Sequence, residues 1–185
     1  SERLGSVFEA FGWNLIILKY GKLQKEAFDE PGGNLLKKWI DDCPNQLYSA
    51  LIYEGGSAFK QRILDDIGDQ NIVSKLINER TDSEFLDLMA NLGGHCVPTL
   101  IEAFKNVKND KPTAFIAYTI KGWGTPLAGH KDNHAGLMTK AQMDSFKSKY
   151  GISDGNEWHR FSDEKNNIEL DQYIKNLPFQ KAKHR

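Results

Sequence analysis

Cysteine is scarce in this sequence. Cys43 and Cys96 are its only two, too few for a disulfide framework or a four-sulfur metal site, as expected of a reducing cytoplasm. Net charge is nearly absent as well: 24 Lys and Arg stand against 25 Asp and Glu, leaving a formal −1. No global field would hold such a chain on nucleic acid or an anionic membrane, so small ligands and protein partners remain. Long hydrophobic runs are missing too. "NLIILKY" and "TAFIAYTI" fall well short of the roughly 20 apolar residues a membrane span needs. The opening "SERLGSVFEAFGW" lacks the charged start and apolar core of a signal peptide. There is no internal repeat and no low-complexity tract. These absences lead to the expectation of a soluble, cytoplasmic protein, and 185 residues suit one ordinary domain.

What is present is a change of period along the chain. Leu4, Val7, Phe8 and Phe11 have helical spacing, with Gly12 placed as a C-cap. Trp13 to Lys19 reads as a strand buried on both faces. Leu35, Leu36, Trp39 and Ile40 mark a helical face, and Leu76 with Ile77 another, so the middle of the chain is expected to be helical. Thr81 and Glu84 form a capping box before Phe85, Leu88, Met89 and Leu92, with Gly93 and Gly94 expected to close that helix. Pro98 begins a further helix whose Leu100, Ile101, Phe104 and Val107 are expected to face inward. Thr113 to Ile120 reads as a second strand. Thr139 and Gln142 cap one more helix carrying Met143, Phe146 and Tyr150. The polar remainder holds a short helix near "IELDQYIKNL" and a basic end expected on a surface.

Two buried strands joined through helices imply a parallel pair with a right-handed crossover in an α/β layered sheet. Two strands leave edges and faces uncovered, so a piece of a larger sheet is expected. Ligands in such sheets collect beyond the carboxyl ends of the strands. Thr119 to Thr139, "TIKGWGTPLAGHKDNHAGLMT", occupies that place. Gly122, Gly124 and Gly129 let backbone approach a ligand, while Lys121 and His134 offer a fixed cation and a group titrating near neutrality. The composition suits a phosphorylated or carboxylate ligand. His130 and His134 are four apart, but no acidic residue completes a zinc-protease pattern and no metal site is expected from them. His95 reads as a capping or packing histidine.

"GWNLIILKYG", "TDSEFLDLMANLGGHC", "KPTAFIAYTIKGWG" and "HKDNHAGLMT", in that order, resemble the thiamine-diphosphate-binding half of the transketolase superfamily. Within it the resemblance is strongest to the decarboxylase component of homodimeric bacterial pyruvate dehydrogenases, and it runs from about Ser1 to Tyr150. "TIKGWG" is similar to that type's "TIKGYG", and Phe8, Gly12, Trp13 and Asn14 resemble its "IFEGAGWN". Transketolases share the "AGHKDNHAG" likeness but usually carry an aliphatic residue at the position of Lys121.

The resemblance implies part of a doubly wound, mainly parallel sheet with covering helices, an incomplete thiamine-diphosphate-binding fold. Residues 1–150 would be the C-terminal portion of that domain and 151–185 a polar extension or interdomain linker. It implies decarboxylation of pyruvate and transfer of the acyl group to the lipoyl domain of a dihydrolipoyl acyltransferase, by an enzyme that is a homodimer when complete. Lys121 would lie near the cofactor diphosphate and the substrate carboxylate, with Gly122 and Gly124 beside the cofactor. His134, on a mobile loop, would act in acyl transfer. The likeness departs at three points: Cys96 stands where aspartate is usual, the loop from Lys121 to His134 is shorter, and the Gly-Asp-Gly...Asn magnesium motif is nowhere in the sequence. The expectation is therefore a partial chain of a longer enzyme, with its magnesium ligands and ring-activating glutamate elsewhere. Glycolaldehyde transfer of the transketolase type and a non-catalytic stand-alone module are the alternatives.

Overall fold

The computed structural model describes residues 2–68, 71–108, 110–158 and 164–181. They form two compact units, Ser1–Leu137 and Met138–Arg185. In the first, α1 (Glu2–Ala10) leads into β1 (Asn14–Leu18), six helices follow, and α8 (Val97–Lys105) precedes β2 (Thr113–Ala117). The six are α2 (Lys22–Phe28), α3 (Gly33–Asp42), α4 (Asn45–Glu54), α5 (Gly56–Ile67), α6 (Asn71–Asn78) and α7 (Asp82–Ala90).

α1 ends as the sequence suggests. Gly12 takes φ +78°, and the Trp13 N–H donates back to the Phe8 carbonyl at 3.1 Å, a closure that requires the left-handed glycine. β1 and β2 pair in parallel, from Asn14 opposite Thr113 to Leu18 opposite Ala117. Each is shorter than the apolar run that forecast it, because a turn after α7 takes over the backbone groups beyond. Gly93 N–H donates to the Lys19 carbonyl at 3.0 Å and Gly94 N–H to the Tyr118 carbonyl at 2.9 Å.

That turn corrects one reading. α7 closes at Asn91, not at its glycines. A Cβ on Gly93 would lie 2.4 Å from the Leu18 carbonyl carbon, and one on Gly94 2.5 Å from the Tyr118 oxygen. The two glycines are there for close approach to the strand ends. The capping box at the start of α7 forms as expected: Thr81 Oγ1 accepts from Glu84 N–H at 3.2 Å, and Glu84 Oε2 accepts from Thr81 N–H at 2.8 Å.

The core lies in the helices rather than around the sheet. Leu36 and Ile40 of α3, Phe59 and Ile63 of α5, and Phe85 and Met89 of α7 are buried. Phe59 packs edge-on to Trp39 and Tyr48, with ring centroids 6.3 and 5.2 Å away. The strands are less covered than expected: Leu18 is buried, but Ile17 of β1 is 44% exposed. α8 also departs from expectation, burying Thr99 and Ala103 while Ile101, Phe104 and Val107 stay exposed. A two-stranded sheet is too narrow to cover that apolar stripe.

The second unit contains α9 (Lys140–Lys149), α10 (Glu164–Asn176) and α11 (Pro178–Lys181). α9 starts on the expected capping box, with Thr139 Oγ1 accepting from Gln142 N–H at 3.3 Å. No residue of α9 is buried, and Met143 and Tyr150 are exposed. Lys147 pairs with Asp154 and Glu157, which raises the ammonium's pKa. The end of the basic tail, 182–185, lies outside the described residues.

Candidate functional site

β2 runs out into a segment that carries the candidate residues, and the segment is a series of tight turns. Trp123 N–H donates to the Ile120 carbonyl at 3.1 Å, Thr125 N–H to Gly122 at 3.0 Å, and His130 N–H to Leu127 at 3.1 Å. The Lys121 carbonyl accepts twice, from Gly129 N–H at 3.1 Å and from Asn133 Nδ2 at 2.9 Å. The far arm of the loop is thereby tied to Lys121 itself, and the residue before His134 is part of the tie.

Gly129 docks the loop on α4. It is buried with φ +74°, and a Cβ there would meet the Ser49 carbonyl oxygen at 2.2 Å. Next to it, His130 lies edge-on to Tyr53 of α4 with ring centroids 4.5 Å apart. α4 is in turn anchored by buried Leu51 and Ile52, and the Tyr48 hydroxyl donates to the Met89 carbonyl at 2.6 Å.

Two clefts open on this arrangement. One, of about 680 Å³, is lined by Asn45, Ser49 and Tyr53 of α4 and by Lys121, His130 and Asn133 of the loop. The other, of about 350 Å³, lies at the carboxyl ends of both strands and includes Lys19, Asp41, Tyr48 and Tyr118. Lys121, Asn45 and Ser49 line both. Lys121 thus stands where the two clefts meet.

The charges are not equivalent. Lys19, Tyr20 and Lys37 converge on Asp41, with Lys37 Nζ 2.7 Å from Oδ2. Burial alone would raise the Asp41 pKa, but hydrogen bonds from Lys19, Lys37 and Tyr20 outweigh it and hold the carboxyl down at about 2. Lys19 is therefore committed to a carboxylate. Among the described residues no carboxylate pairs with Lys121, so its ammonium is open to an anion from outside.

Gly122 and Gly124 adopt φ +73° and +84° in the turn after Lys121, and neither lines the two clefts. His134 is exposed on the loop and lies outside both clefts. His130 Nδ1 accepts from Asp132 N–H at 3.1 Å. Among the described residues no group of three or more His, Cys, Asp or Glu side chains is placed to hold a metal ion. His95, expected as a capping or packing histidine, stacks on Trp123 at 4.4 Å and 12°. Its Nε2 accepts from Ile120 N–H at 2.7 Å. Cys96, the N-cap of α8, makes no capping bond to that helix; its Sγ accepts from Lys22 N–H at 3.3 Å. Asn45, Ser49 and Tyr53 have no sequence signal near the loop, since about 70 residues of chain separate them from Lys121.

Among curated proteins, the pyruvate dehydrogenase E1 component of Corynebacterium glutamicum is 26% identical over 156 residues, 82% of this chain. That of Escherichia coli K12 is 26% identical over 146 residues, or 78% of the chain, and that of Pseudomonas aeruginosa 26% over 156, or 82%. Over about four fifths of its length the chain is thus similar, at about one quarter identity, to pyruvate dehydrogenase E1 components. It spans about one sixth of these E1 relatives, 16% to 17% of their length. No family model matches it. The parallel strand pair with its covering helices is compatible with an incomplete α/β fold of the thiamine-diphosphate-binding kind. Among the described residues no helix is long and apolar enough to cross a membrane.

Proposed function

We propose that this chain is part of a thiamine-diphosphate-dependent 2-oxo-acid dehydrogenase of the pyruvate dehydrogenase type. The observation that supports this most is the Lys121 ammonium, paired with no carboxylate among the described residues, at the junction of two clefts beyond β2 in a chain similar to E1. An ammonium there can bind the carboxylate of a 2-oxo acid or a phosphate oxygen of the cofactor, and Asn45 and Ser49 add neutral hydrogen-bonding groups on the same cleft walls. Gly122 and Gly124, on either side of Trp123, take positive φ in the turn after Lys121, where the lack of a Cβ leaves room for a diphosphate to approach the backbone in this reading.

Thiamine diphosphate, when bound, supplies the electron sink that loss of carbon dioxide from a 2-oxo acid needs. The residues described here do not fit its magnesium ion; those ligands belong to another part of the enzyme. His134, which is exposed on the loop, meets an incoming lipoyl domain of a dihydrolipoyl acyltransferase in this reading. Its role is to give a proton from the imidazole to the departing dithiolane sulfur during acyl transfer. The complete enzyme is a cytoplasmic homodimer in this reading.

The test is to supply the full-length protein with thiamine diphosphate and magnesium, then follow pyruvate with an artificial electron acceptor. Pyruvate-dependent carbon dioxide release and acceptor reduction are expected. Glycolaldehyde transfer from a ketose phosphate without pyruvate consumption would replace this reading with the transketolase one.

A further inference from the structure

His95 sits on the turn between α7 and α8, and that turn is clamped to the ends of both strands. Gly93 N–H reaches the Lys19 carbonyl and Gly94 N–H the Tyr118 carbonyl, at 3.0 and 2.9 Å. His95 N–H itself donates to Leu92 at 2.9 Å. The backbone of the residue is therefore fixed relative to the strands, and its ring is fixed by the Trp123 stack.

From this position Nε2 accepts the Ile120 N–H at 2.7 Å. Ile120 is 6% exposed, and it immediately precedes Lys121. Its N–H comes just past the last strand pair, where the sheet supplies no acceptor; without the imidazole it would be an orphaned buried donor. An imidazole nitrogen accepts only when it carries no proton, so the ring must be neutral with its hydrogen on Nδ1. An imidazolium would point N–H at N–H.

We propose that His95 is a positioning residue: neutral, it holds the backbone at Ile120 and the ring of Trp123, so fixing the start of the loop that presents Lys121, and protonation releases that start. The titratable groups on the segments packed against this turn are Lys19 and Tyr20 after β1, Lys22 at the start of α2, Tyr118 and Lys121 after β2, and Cys96 in the turn itself. Burial is the cause that lowers the His95 pKa, which keeps the accepting form dominant at neutral pH. Its consequence for catalysis rests on the reading of Lys121 given above; the backbone restraint does not.

The test is hydrogen exchange of the full-length protein at pH 5 and 7.5, read by mass spectrometry over peptides spanning 119–125 and corrected for intrinsic exchange. In the wild type the protection of these amides should fall by about tenfold or more at the lower pH, the loss of one buried hydrogen bond. His95→Leu should be as weakly protected at pH 7.5 as the wild type is at pH 5, and His95→Gln, whose amide does not titrate, should show no change with pH. Wild-type protection that is flat between the two pH values, or a pH dependence that persists in His95→Gln, overturns the proposal. Neither readout needs turnover, so a protein that does not consume pyruvate would remove the functional reading while leaving this restraint to stand or fall alone.

Discussion

Gly129→Ala separates a loop docked on α4 from a merely exposed one. Two costs act at that position. The left-handed backbone, φ +74°, costs an L-residue about 1–2 kcal/mol. The new Cβ would also lie 2.2 Å from the Ser49 carbonyl oxygen, with Ile52 side-chain carbons at 3.1 and 3.2 Å. Neither neighbour yields easily, since Ser49 contributes helix backbone and Ile52 is buried, and such overpacking costs about 1–3 kcal/mol more. The sum is about 2–5 kcal/mol, more than a surface turn can absorb, so the loop should leave α4. Gly122→Ala is the control. Its φ is +73°, but the nearest contact is the end of the Asn133 side chain at 3.3 Å, which leaves the backbone cost of about 1–2 kcal/mol alone. Limited proteolysis between residues 121 and 137 measures both. Cleavage should accelerate strongly in Gly129→Ala and only modestly in Gly122→Ala. Equal rates in the two variants would show that Gly129 does not dock the loop.

Other expectations concern charge, thiol chemistry and the core. Asp41 is held at about 2, below its ordinary 3.8, so its stabilising contribution is full above about pH 4 and is lost as pH falls through 2. Asp41→Asn should cost about 1 kcal/mol at pH 7 after solvent screening, and urea unfolding should show the gap from wild type closing toward pH 2; a gap that grows in acid would contradict the pairing. Burial pushes the Cys43 thiol up to about 11, so iodoacetamide at pH 7.5 should modify it about 100-fold more slowly than a free cysteine, and labelling at the free rate would mean the thiol is not shielded. Phe59→Ala should destabilise by about 3–5 kcal/mol, while Phe11→Ala, at a position 80% exposed, should stay within about 0.5 kcal/mol; comparable losses would place the core elsewhere.

The features visible in the sequence are those determined by neighbours along the chain. Thr81 with Glu84 and Thr139 with Gln142 make their capping boxes because the partners are three residues apart. Gly12 ends α1, and the two strands form within their apolar runs. What was hidden depends on residues far apart. Gly93 and Gly94 look like a helix stop, yet they serve to admit the backbone of Leu18 and Tyr118. Phe104 and Ile101 read as inward-facing, which presumes a wider sheet beneath them than the two strands provide. α4 and α5 do not separate in a generally helical middle, where Gly55 alone is both the C-cap of one and the N-cap of the other. In the candidate loop Lys121 and His134 stand out by residue type, but only Lys121 lines the clefts, and Asn45 and Ser49 reach those clefts only through tertiary packing.

The central claim is that Lys121 handles the carboxylate or phosphate of an E1-type reaction. Its most direct test is Lys121→Gln in the full-length protein, assayed for pyruvate decarboxylation with an artificial electron acceptor so that lipoyl transfer plays no part. Because the ammonium is exposed and unpaired among the described residues, the unfolding midpoint should not change. Turnover should fall by about 100-fold or more, as for loss of one group stabilising developing charge. A variant that keeps turnover within about twofold of the wild type would contradict the account.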